Sequence, residues 1–215
     1  MNLHNLFTYW EGPKPDYIKM CQESLKNSKM NVIILGKDDY PELNGMSINH
    51  KTDYLKAWLI SENGGFWIDA DMVVMQDLRP LIELVKKHGF CGIPGFFGAK
   101  RDNELMKRWL EGIRKVDKEP TFSDLIQPLL QDPEFKEFGV FTKEMICPIY
   151  HTGDEFWKLF ENEDIEKYST ENNYVFTLYN SQFSDEFKKM KSDQILGQPW
   201  LISKVFKKAL CKSAQ

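Results

Sequence analysis

Two carboxylates separated by one small residue, Asp69-Ala70-Asp71, carry the most chemical content in the chain. In an extended segment residues i and i+2 point to one side, so both acids are expected to project together. One apolar run, Phe66 to Ile68, leads into the pair, and another, Met72 to Met75, follows it. Acidic groups between apolar runs are costly to bury unless they are paired or metal-bound. Two neighbouring carboxylates suit a hard divalent cation, Mn²⁺ or Mg²⁺. Such an ion, shared with a diphosphate, would neutralise charge developing on a leaving group. With 15 Asp in 215 residues, chance alone supplies roughly one Asp-x-Asp, so the setting carries the reading rather than the bare motif.

The surrounding elements must place that pair. Leu6 to Trp10 reads as a strand, Asp16 to Asn27 as a helix, and Asn31 to Leu35 as a short buried β-branched strand. Gly36 to Asn49 reads as a loop. Thr52 to Asn63 is the clearest helix, with Leu55, Trp58 and Leu59 on its apolar face and Gly64-Gly65 as its stop. Phe66 to Asp69 is the strand that delivers the acids, and Pro80 to His88 is a further amphipathic helix. The alternation of strand and helix predicts an α/β fold with a mostly parallel sheet flanked by helices. Open sheets of that kind bind ligands beyond the carboxyl ends of their strands. Further on, Phe90 to Ala99 reads as a strand pair, Glu104 to Val116 and Ser123 to Leu130 as helices, Tyr174 to Tyr179 as a late strand, and Leu201 to Leu210 as a terminal helix. No linker stands out, so one domain is expected over 1–215.

The composition is that of an ordinary globular protein, with 42% hydrophobic and 28% charged residues. A net charge of −4 argues against a nucleic-acid binder, which carries a basic footprint. Cys21, Cys91, Cys147 and Cys211 form no C-x-x-C pair, which fits reduced thiols in a cytoplasmic protein. No apolar run is long enough for a membrane span, and the N-terminus lacks the basic-then-apolar pattern of a secretion signal. The tail helix combines Val205, Phe206 and Leu210 with Lys204, Lys207 and Lys208. It therefore offers a peripheral contact with an anionic membrane, set against plain packing of a terminal helix on the domain.

The stretch from Thr52 to Leu78, TDYLKAWLISENGGFWIDADMVVMQDL, resembles the signature of the Asp-x-Asp sugar transferases. It is most similar to glycosyltransferase family 32 and the related capsular polysaccharide synthesis proteins. TYWEGPKPDYIKMCQESLKN near the N-terminus and YVFTLYNS at Tyr174 to Ser181 extend the likeness. The resemblance implies a GT-A type nucleotide-sugar-binding fold and retaining transfer from a nucleotide-sugar donor, with a UDP-sugar favoured. The acceptor would be a saccharide or a lipid-linked saccharide, in bacterial surface or capsular polysaccharide synthesis. By the same resemblance residues 1–100 form the donor-binding half and 101–215 the acceptor side. Asp71 would ligate the metal. Asp69 would contact the donor and share the metal, Asp53 would hydrogen-bond the donor sugar, and Trp10 would stack on the base. Two positions depart from the family pattern. Lys56 stands where an Arg is usual, keeping the charge without the bidentate fork. Thr177 stands where a His is frequent, which leaves Asn180 and Ser181 as candidates to complete the donor and metal site.

Other readings attach to the same residues. Asp53 at a helix start could simply favour the helix dipole. Gly64 and Gly65 end a helix first, and close approach of Gly65 to the donor is secondary. His151 in YHTGDEF is a lone histidine that reads as a loop residue. Two other functions compete with transfer. One is a phosphatase of the haloacid dehalogenase type with Asp69 as nucleophile, although the later acid cluster of that family is absent. The other is a non-catalytic sugar- or nucleotide-binding relative.

Overall fold

The computed structural model describes residues 3–93, 95–115 and 141–213. In chain order, its strands and α-helices are β1 (Asn5–Tyr9), α1 (Asp16–Ser24), β2 (Asn31–Leu35), α2 (Ile48–Asn63), β3 (Gly65–Ile68), β4 (Met72–Val74), α3 (Leu81–His88), β5 (Phe90–Ile93), β6 (Phe96–Ala99), α4 (Glu104–Lys115), α5 (Lys143–Ile146), β7 (Val175–Thr177), α6 (Asp185–Lys189), α7 (Ser192–Gly197) and α8 (Leu201–Ser213). The helix expected at 123–130 lies outside the described residues. The chain divides into two compact units. One holds residues 3–12, 31–69, 80–93 and 95–115 of those described, and the other holds 13–30, 70–79 and 141–213.

The first unit is built on a five-stranded sheet in the order β2-β1-β3-β6-β5. β1 pairs in parallel with β2 and with β3, while β6 runs antiparallel to both β3 and β5. Four strands thus share one direction and β6 opposes them, which makes the sheet mixed but mostly parallel. The expected strand pair at 90–99 is the β5–β6 hairpin. β2 departs from expectation. Its β-branched run predicts a buried strand, yet it lies at the sheet edge with Ile34 exposed. β-branched residues favour the pleat whether or not both faces are covered, so composition alone does not separate edge from centre.

α2 starts four residues before the expected Thr52, because Ser47 caps it by accepting the His50 backbone N–H at 3.3 Å. It stops at Gly64, whose φ of +67° disfavours other residues. At Gly65 an added Cβ would sit 2.7 Å from the Asn5 carbonyl oxygen, so pairing with β1 already demands glycine there. Leu55, Leu59 and Ile60 pack with Phe97, Trp67 and the Leu105, Trp109 and Ile113 face of α4 to form this unit's core.

In the second unit β4 pairs antiparallel with β7, Met72 opposite Thr177 through Val74 opposite Val175. α1 and α8 pack together, and rings of Tyr17, Phe183 and Phe187 meet edge-on or tilted beside them. The tail helix packs within its own unit, the plainer of the two expectations for it. Val205 and Phe206 are fully buried, so α8 has no apolar face of theirs to offer a lipid surface. Lys204 donates to Asn162 Oδ1 at 2.7 Å, and Lys208 donates to Glu166 Oε1 at 3.1 Å and to the Ser169 carbonyl at 2.9 Å. Lys204 and Lys208 are thereby tied to the domain's own acidic loop. No helix among the described residues is long and apolar enough to cross a membrane.

Candidate active site

β3 ends at Ile68, and Asp69-Ala70-Asp71 forms the turn into β4 rather than the extended segment expected from the spacing. Asp69 belongs to the first unit and Asp71 to the second. Asp69 is fixed three ways. Its backbone N–H donates to the Gly95 carbonyl at 2.8 Å, at the tip of the β5–β6 hairpin. Its Oδ1 accepts from the Trp67 indole N–H at 2.8 Å and faces the Lys56 ammonium at 3.0 Å. Trp67 is fully buried, and it also orients the acid two residues on.

Lys56 is 7% exposed and joins two carboxylates, with Asp53 Oδ1 at 3.6 Å in addition to Asp69. Its ammonium also sits 5.7 Å above the Trp67 ring, within reach of a cation–π attraction. α2 begins at Ile48, so Asp53 stands in its second turn rather than at its start. The helix-dipole explanation weakens accordingly. Burial pushes the Asp53 carboxyl up from its ordinary range. The Lys56 charge opposes that shift and the Asp69 charge adds to it. Trp10 follows β1, half-buried, with its backbone N–H donating to the Leu35 carbonyl at 3.0 Å.

Glu11 and Lys51, which the sequence pattern did not single out, form a buried ion pair at 2.6 Å. The Tyr9 hydroxyl also donates to Glu11. The Lys51 hydrogen bond holds the Glu11 carboxyl below its usual range. The partners lie 40 residues apart, and no local signal links them.

In the second unit Asp71 is bound to the segment after β7. Its carbonyl accepts from the Leu178 N–H at 3.1 Å, and its carboxylate Oδ2 accepts from the Asn180 N–H at 2.7 Å. The Asn180 side-chain oxygen in turn accepts the hydroxyl of buried Tyr17. Burial, with the Asp71 charge adding to it, raises the Tyr17 hydroxyl and the Cys21 thiol well above their ordinary ranges. Both groups are therefore neutral neighbours of Asp71. Thr177 is buried and its hydroxyl donates to the Ile146 carbonyl at 2.8 Å, so it does not stand in for a metal-binding His. Ser181 is exposed at the start of the following turn.

No known family profile matches this chain, and no curated protein matches it. Among solved structures it is similar to the apo form of the glycosyltransferase GlyE from Streptococcus pneumoniae TIGR4, at 12% identity and a TM-score of 0.54. That likeness covers 97% of this chain and 63% of GlyE, so the chain spans less than two thirds of the GlyE length. The fold is of the GT-A type. The galactosyltransferase LgtC, solved with donor and acceptor sugar analogues, aligns at 11% identity over 82% of this chain and 87% of its own, with a TM-score of 0.47. The PaToxG glycosyltransferase aligns at 14% identity over 61% and 69%, with a TM-score of 0.44. These two fits are too loose to add to the fold assignment.

A divalent cation is the usual companion of this fold, and the donor set can be tested against one. Asp69 and Asp71 supply hard carboxylate oxygens, and each commits one oxygen to the hydrogen bonds above. Among the described residues no group of three or more His, Cys, Asp or Glu is arranged to hold a metal ion. Two carboxylates make an incomplete shell, the kind a small cation fills by sharing a substrate's phosphates. The residues fit a cation bound together with a diphosphate.

Proposed function

We propose that this chain is a metal-dependent glycosyltransferase. It moves a sugar from a nucleotide-sugar donor, with UDP favoured as the nucleotide, to a saccharide or lipid-linked saccharide acceptor. The observation that carries the reading is an Asp-x-Asp turn at the end of the third strand of a GT-A fold. Retention of configuration and a role in surface or capsular polysaccharide synthesis belong to the same proposal, on the resemblance to family 32. Residues 1–100 would supply the donor side and 101–215 the acceptor side.

Asp69 and Asp71 would hold the cation, which would supply positive charge to the leaving diphosphate. The chain's own groups orient and neutralise. Trp67 and Lys56 keep one oxygen of Asp69 fixed, so that its orientation needs no reorganisation during reaction. Asp53 would hydrogen-bond the donor sugar. Trp10 would stack on the base. Lys56, engaged with two acids, acts as their counter-ion and positions them. Asn180 supports Asp71 through its backbone, with Ser181 beside it as a further donor contact. The phosphatase alternative places a nucleophile at Asp69, but there one oxygen is already bound by an indole N–H and an ammonium.

Turnover of a panel of UDP- and GDP-sugars with Mn²⁺, followed as released nucleotide, tests the proposal. Asp71→Asn is expected to lower kcat by at least about a hundredfold, the scale of losing one preorganised electrostatic contact, with the melting curve preserved. Full activity in that variant would contradict the assignment.

A further inference from the structure

Asp71 grips the chain on both sides of Tyr179, through the Leu178 and Asn180 backbone N–H groups. The residue between them is bent to φ +57°, ψ +69°. A bulky L-residue rarely takes that left-handed conformation, and such strain persists where the surroundings enforce it, often at functional sites. Here the surroundings are specific. The Tyr179 hydroxyl is hydrogen-bonded with the Cys147 thiol. Its ring meets His151 at 4.9 Å between centroids. His151 stacks on Tyr150 at 5.2 Å with planes 28° apart. Glu155 Oε2 accepts the Tyr150 backbone N–H at 3.1 Å and the Lys143 ammonium at 3.0 Å. That ammonium lies 5.2 Å over the Tyr150 ring.

Three rings thus form a column that begins at Asp71 and ends in solvent. Tyr150 is 43% exposed and His151 is exposed beside it. Aromatic rings held only for packing are buried, whereas Tyr150 and His151 are exposed and Tyr179 is half-buried behind them. A pyranose has an apolar C–H face that packs on such rings and a hydroxyl rim that meets imidazole nitrogen and phenol oxygen. Lys143 is already matched by Glu155 at the exposed end of the column, which favours an uncharged sugar there. A nucleobase could also stack on such rings, but the base contact is proposed at Trp10.

We propose that Tyr150, His151 and Tyr179 form a stacking platform for an uncharged pyranose ring of the saccharide acceptor. The acceptor role rests on the transferase reading, and the binding itself does not. The test uses the full chain and saturation-transfer NMR with methyl glycosides of glucose, galactose, mannose and N-acetylglucosamine. UDP and GDP with Mn²⁺ are measured in parallel by thermal shift. At least one glycoside is expected to receive saturation on its ring C–H protons. Its affinity should fall about tenfold in Tyr150→Ala and in His151→Ala, the scale of one lost aromatic stack, while His151→Phe restores it. Melting curves of the exposed-residue variants should match the parent. No glycoside contact in the parent, or equal contact in the variants, overturns the platform. So does a nucleotide thermal shift that is lost in Tyr150→Ala and His151→Ala while glycoside contact is unchanged, which would make it a base site. If neither nucleotide stabilises the chain, the transferase reading fails, and the glycoside result still decides the platform.

Discussion

Lys56 holds two carboxylates of the first unit with one ammonium. Asp53 is the strained member. Burial raises its carboxyl, so the folded state favours the protonated form more than the unfolded chain does. An acid shifted in that direction destabilises the fold once ionised, and the stability returns as pH falls through its titration. Asp53→Asn is therefore expected to raise the melting temperature at neutral pH by a few degrees. The gain should fade as pH falls through the raised Asp53 titration towards that of an unfolded aspartate, about pH 4. Melts across pH check this, and a gain independent of pH would contradict it. Because Asp53 is proposed to hold the donor sugar, the same variant should turn over more slowly, a trade of function against stability. At this scale the sequence shows Asp53, Asp69 and Asp71 through spacing and setting. It does not show Tyr17 joined to Asn180 across 163 positions, nor Tyr179 forced left-handed by its neighbours. Those features arise from long-range closure, which no local pattern encodes.

The elements were the most legible level. The 31–35 run becomes β2 over the same residues, and 90–99 becomes the β5–β6 hairpin, because short apolar runs bounded by turn residues have few alternatives. What the pattern missed was context: β2 lies at an edge, and the loop before Thr52 is already helical from Ile48. The strand that delivers Asp69 depends on one close approach. Phe66 lies opposite Gly98 in register, and a Cβ at Gly98 would come within 2.6 Å of the Phe66 ring. Gly98→Ala must displace a fully buried ring, which costs about 1–3 kcal/mol. A melting temperature lowered by roughly 3–10 °C is expected. An unchanged melt would mean that the ring yields freely and that β3 is less constrained than its burial implies.

At the scale of the whole molecule, a net charge of −4 argues against a basic nucleic-acid footprint, so a ligand must identify the function. The shared fold narrows the field to proteins built like GlyE, while the substrate depends on loops that diverge among such folds. The most direct measurement is thermal stability with UDP or GDP, each with and without Mn²⁺, for the parent and Asp71→Asn. A ligand at a hundredfold excess over its Kd stabilises by about 2.7 kcal/mol, which for a chain of this length is roughly 5–10 °C. One nucleotide is expected to give that shift only with Mn²⁺, and only in the parent. No shift with either nucleotide, or a shift that survives in Asp71→Asn, would contradict a donor site built on the Asp-x-Asp turn.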